Sequence, residues 1–107
     1  MNKKEDALKQ FVNRVKEKYE DSVEEIILFG SYARGEAEED SDIDILVIWK
    51  GRPIDGWNAL ESIATDILLD YGILISLKII APEDYELMLD LGMPFIKNVR
   101  EEGVVLG

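Results

Sequence analysis

Apolar residues recur every three or four positions between about Lys4 and Tyr19, at Leu8, Phe11, Val12, Val15 and Tyr19, with Lys, Glu and Arg between them. That spacing predicts an amphipathic helix with one face on a core. The pattern then changes period. Val23 to Phe29 ends in the continuous run Ile26-Ile27-Leu28-Phe29, and Ile43 to Trp49 and Ile73 to Ile80 are similar stretches rich in β-branched residues, so three strands are expected. Helical spacing returns from roughly Trp57 to Tyr71, placing Leu60, Ile63, Ala64, Ile67 and Leu68 on a buried side, and Gly72 is a natural stop. Pro82 suits the first turn of a helix running through Met88, and Met93-Pro94 opens a last short helix, Phe95 to Glu102, before Gly103 and the apolar Val104-Val105-Leu106. With a short helix opening at Tyr32 and Ala33, the order is α, β, short α, β, α, β, α, α. This predicts an α/β (α+β) arrangement, a small mixed sheet flanked by helices, with residues 1–107 as one domain.

Composition narrows what such a fold could do. The 107 residues carry 23 Asp and Glu against 12 Lys and Arg, a net charge of −11. Phosphate backbones and acidic membranes are bound through Lys/Arg surfaces, so direct nucleic-acid and membrane contact are not expected, whereas a metal or a cationic partner suits the balance. There is no cysteine and no histidine, which removes thiolate sites and the commonest general base. Catalysis would rest on carboxylates, hydroxyls, Lys, Arg and oxygen-bound metal. Neither a leader-like apolar segment nor a run of about 18 apolar residues is visible, and a cytoplasmic location is the expectation.

The chemistry concentrates between the first two strands. Gly30-Ser31 follows an apolar run, and small residues there let backbone N–H groups approach an anion, although an ordinary turn has the same dipeptide. The acidic stretch Glu36-Ala37-Glu38-Glu39-Asp40 reads as a solvated loop. Asp42 and Asp44 then open the second strand two residues apart, so they project to one face with Ile43 and Ile45 opposite. Asp is depleted inside strands because its charge must stay hydrated or paired, and two adjacent carboxylates repel unless a cation sits between them.

At Gly30-Ser31-Tyr32-Ala33-Arg34-Gly35 and Ser41-Asp42-Ile43-Asp44 the chain resembles the nucleotidyltransferase superfamily that includes DNA polymerase beta, and within it the minimal, single-domain prokaryotic members. The resemblance implies a Mg²⁺-dependent enzyme. Asp42 and Asp44 would hold the metal, Gly30 and Ser31 would bind the β- and γ-phosphates of a nucleoside triphosphate, and Arg34 would either clamp the triphosphate or tie down the acidic loop. One departure stands out: active members carry a third carboxylate on the strand after the long helix, and here the matching position is Ser76. Asp70, Glu83 and Asp84 are candidates to replace it. Lys78, on the same face as Ser76, is open to two readings, a solvated lysine or a phosphate contact.

Two functions follow from the resemblance. One is transfer of a nucleoside monophosphate, AMP from ATP in the first instance, to an acceptor hydroxyl. The other is a non-catalytic acidic module that neutralises a partner by contact. Minimal members often act as the antitoxin of a pair with a HEPN-type ribonuclease, some by modifying its tyrosine, so both can hold. A chain this short needs its acceptor surface from a partner or from self-association as a homo-oligomer.

Overall fold

The computed structural model describes residues 3–35 and 42–107. The elements are α1 (Lys3–Tyr19), β1 (Val23–Phe29), α2 (Gly30–Ala33), β2 (Ile43–Trp49), α3 (Pro53–Tyr71), β3 (Ile75–Ile80), α4 (Pro82–Asp90), α5 (Pro94–Glu102) and β4 (Val104–Val105). The strands form one sheet in the order β3-β2-β1-β4. β1 pairs antiparallel with both β2 and β4, and β2 pairs parallel with β3, which makes the sheet mixed as expected. The loop expected over residues 36–40, and Ser41, lie outside the described residues.

Strand alternation divides the core in two. Ile26, Leu28, Ile43, Ile45, Val47 and Trp49 face one side, where α1 supplies Ala7, Leu8, Phe11 and Val15 and α3 supplies Leu60, Ile63, Ala64 and Ile67. Ile27, Leu46 and Ile48 face the other side and meet Tyr85 of α4 with Ile96 and Val99 of α5. Two layers of helices thus enclose the sheet, the first over a longer apolar surface than the second.

Several limits differ from the sequence reading, among them the start of α2, which opens at Gly30 and not at Tyr32. α3 begins a turn earlier, because Pro53 takes the first helical position where its missing N–H is not needed. β3 starts at Ile75, since Ile73 and Leu74 still belong to the approach that follows the left-handed Gly72. Val104 and Val105 form a fourth strand that pairs with Leu28 and Ile27. The register of α3 also corrects one expected core residue: Leu68 is 39% exposed, while its neighbour Ile67 is fully buried. Among the described residues no helix is long and apolar enough to cross a membrane.

Candidate functional site at the facing ends of β1 and β2

The antiparallel register sets Phe29, the last residue of β1, opposite Asp44 of β2. The chain then turns through Gly30 with φ of 77°, a left-handed conformation that L side chains rarely adopt. Space matters as much as dihedral angle here. A Cβ on Gly30 would stand 3.1 Å from Asp44 Cγ and would collide with Oδ2, so the carboxylate lies directly against this backbone. α2 continues immediately, carrying half-buried Ser31, with Tyr32 and Ala33 packed onto the larger core and Arg34 at its carboxyl end. Tyr32 is therefore a packed tyrosine, and burial pushes its phenol above its ordinary pKa.

Asp42 precedes β2 and is exposed, whereas Asp44 is half-buried. Burial, and then the like charge of Asp42, push the Asp44 carboxyl above its ordinary pKa, while Lys78 and Arg34 pull it back down. The structure thus gathers Gly30, Asp42, Asp44, Arg34 and Lys78 at one edge. Two neighbouring carboxylates, one raised by the other, form a hard oxygen donor set that suits a divalent ion whose remaining positions are filled by water or phosphate oxygens. Among the described residues no group of three Asp, Glu, His or Cys side chains could hold a metal.

Ser76 is the in-register neighbour of Asp44 on β3, so a hydroxyl faces the site at the place where the resemblance expects a carboxylate. None of the three candidate replacements reaches it. Asp70 is engaged by Arg14 at 3.2 Å between α3 and α1, on the opposite side of the sheet. Glu83 and Asp84 line a hollow with Lys50, Arg52 and Pro53 beyond the carboxyl ends of β2 and β3. Those ends, Trp49 and Ile80, lie five residues from Asp44 and four from Ser76, roughly 13–17 Å along the strands at ~3.3 Å per residue.

A cleft of about 240 Å³ opens beside Gly30, lined by Phe29, Arg34, Phe95, Asn98 and Glu102. The Arg34 guanidinium donates to Glu102 Oε2 at 3.5 Å, so α5 helps to position it. The proposed contact of Arg34 with the acidic loop falls on residues outside those described. Sequence reasoning did not single out Phe95, Asn98 or Glu102 as lining this site. Their helical spacing on α5 was visible, but the face of α5 that meets Gly30 is set only by tertiary packing. A larger hollow, about 360 Å³, lies elsewhere among Glu24, Glu25, Glu83, Glu86 and Arg100, where an anionic ligand would be repelled.

The nucleotidyltransferase domain family matches residues 8–103, and the chain belongs to that family. Among its relatives is "Putative protein adenylyltransferase MJ0604" of Methanocaldococcus jannaschii, 41% identical over 102 residues, which cover 95% of this chain and 96% of that protein. "Putative protein adenylyltransferase MJ1305" of the same organism is 45% identical over 83 residues, covering 75% of this chain but 56% of that protein. Among solved structures, one described as a toxin-antitoxin with AMP-PNP aligns over 100% of this chain and 73% of its own, with a TM-score of 0.60 at 20% identity. At that identity the likeness speaks for the fold.

Proposed function

We propose that this nucleotidyltransferase transfers AMP from ATP to a hydroxyl, a tyrosine of a HEPN-type partner protein, as the antitoxin of a toxin–antitoxin pair. The observation that carries the reading is the close approach of the Asp44 carboxylate to the Gly30 backbone, with Asp42 adjacent, and it supports taking the two acids as metal ligands and the turn as a phosphate cradle. The names of the adenylyltransferase relatives, and the AMP-PNP in the toxin–antitoxin neighbour, support ATP as donor and a toxin as partner.

In this reading Asp42 and Asp44 hold Mg²⁺. When bound, the ion supplies charge neutralisation to the triphosphate. Gly30 N–H and the Ser31 hydroxyl receive the β- and γ-phosphates, and Arg34 clamps them from the α5 side. The acceptor oxygen forms a bond to the α-phosphorus as the α–β bridging P–O bond breaks; pyrophosphate leaves and the acceptor proton passes to solvent. Ser76, which is not a carboxylate, cannot serve as the base for that proton. A phenol is a fitting acceptor for such a site, because at pKa near 10 it loses its proton far more readily than an aliphatic alcohol.

The net charge of −11 matches a basic partner, and it also supports a second reading in which contact alone neutralises the toxin. Incubating the purified pair with ATP and Mg²⁺ and weighing the partner separates the two. One AMP added by the wild type and none by Asp44→Asn is the expected result. A stable complex with no mass change under any condition would leave the contact reading alone.

A further inference from the structure

On the α4/α5 side of the sheet, the parallel register places Asp44 beside Ser76 and, one step along, Leu46 beside Lys78. Residues in register on parallel strands project to the same face, so Lys78 shares the face of Asp44 two positions beyond the missing carboxylate. Its stem is exposed, yet its ammonium has a defined seat: Nζ lies 5.8 Å from the centroid of the Phe95 ring. Phe95 is itself held by an edge-on contact with Phe29, with centroids 5.5 Å apart, and both rings line the cleft beside Gly30 and Arg34. A lysine is ordinarily a mobile, well-hydrated point charge. Here the ring of Phe95, itself part of the cleft wall, lies under it, and its positive charge acts on Asp44.

We propose that Lys78 binds the polyphosphate directly and takes the charge-neutralising part that a second metal ion would otherwise fill, so that the site works with one divalent ion, and that Phe95 is its positioning residue. The proposal rests on the nucleotide reading given above. Two-metal sites stabilise both the attacking and the leaving oxygens, and the third carboxylate that the resemblance expects to complete such a site is replaced here by Ser76. No third acid is grouped with Asp42 and Asp44 among the described residues, and on β3 the charged side chain nearest to Ser76 on this face is the ammonium of Lys78. Arg34 and Lys78 then approach the phosphates from opposite sides of Gly30 and Asp44, since Arg34 ends α2 and Lys78 lies on the far neighbour of β2.

Titration with Mn²⁺ and a non-hydrolysable ATP analogue, counting bound ions by electron paramagnetic resonance and analogue affinity by calorimetry, tests this. The wild type is expected to hold one Mn²⁺ per chain. Lys78→Met should keep that ion but bind the analogue roughly 10- to 100-fold more weakly, the loss of one charge-assisted contact, with a shallower salt dependence. Lys78→Arg should recover most of the affinity. Phe95→Leu should lose a few-fold, and lose nothing further when combined with Lys78→Met, because its effect passes through the ammonium. Two ions on the wild type, or an unchanged affinity in Lys78→Met, would overturn the single-ion proposal while leaving the nucleotide reading intact. No analogue binding by the wild type would overturn both.

Discussion

The two faces of β2 differ in how far their apolar surface extends. Toward α1 and α3, Ile43, Ile45, Val47 and Trp49 are all buried, and the core runs the full length of the strand. Toward α4 and α5, Leu46 and Ile48 are buried but the next position toward the amino end is Asp44, flanked by Ser76 on β3 and lying against Gly30 just past the end of β1. The same seven residues therefore build a closed layer on one side and a half-closed one on the other. A sheet needs only one complete face to hold its register, because a one-residue slip would expose that whole apolar row. The second face is then free to leave polar groups at its end, where a ligand can supply what the fold does not.

The largest effect that would break this contrast lies on the closed face. Phe11→Ala, at a fully buried position, is expected to cost about 3–5 kcal/mol in urea denaturation, whereas the same truncation at Phe95, 43% exposed on the open face, should cost well under half of that. Near-equal losses would mean that the α5 side is as much core as the α1 side. Next comes Gly30→Ala. The left-handed backbone alone should cost about 1–2 kcal/mol, and the displaced Asp44 carboxylate should abolish metal-dependent nucleotide binding even in the folded fraction.

Asp44→Asn separates the two faces by the sign of its effect on stability. A folded carboxyl whose pKa is raised favours folding while it is protonated, and that contribution is lost as pH rises through the folded pKa. At pH 7 the ionised Asp44 thus works against the apo fold, so the Asn variant should melt a few degrees higher, with the gain shrinking as pH falls through the carboxylate range. Activity should disappear in the same variant. A lower melting temperature at pH 7 would instead make Asp44 a structural residue. The smallest effect belongs to Glu102→Gln, which removes an exposed ion pair with Arg34: at most ~1 kcal/mol at low salt and nothing measurable at high salt.

Much of the fold was legible because strand and helix periods differ so clearly. Val23–Phe29 and Ile43–Trp49 are apolar runs bounded by polar or turn residues, and both strands are found at the expected limits. What escaped was long-range. Val104 and Val105 are too short a run to declare a strand, and they become one because α5 ends at Gly103, where any Cβ would strike Val99 O and Ile27 Cγ2. That close approach delivers the tail to the free edge of β1. Leu68 was misplaced for a different reason, since an apolar residue next to a buried stripe has the same local spacing whether or not a neighbour covers it. Within the site, the residue types and their spacing were visible, and the resemblance gave them roles. The direct seating of Asp44 on Gly30, the inability of Asp70, Glu83 or Asp84 to reach them, and the Lys78–Phe95 pairing depend on strand register and helix placement, which no local pattern encodes.

In the proposed function, the two carboxylates and the glycine turn hold a metal and a triphosphate together. Calorimetric titration of a non-hydrolysable ATP analogue with and without Mg²⁺, for the wild type and Asp44→Asn, measures it most directly. Tight binding by the wild type only when Mg²⁺ is present, and no metal-dependent gain in the variant, is the expected result. Equal, metal-independent binding by both proteins would contradict it.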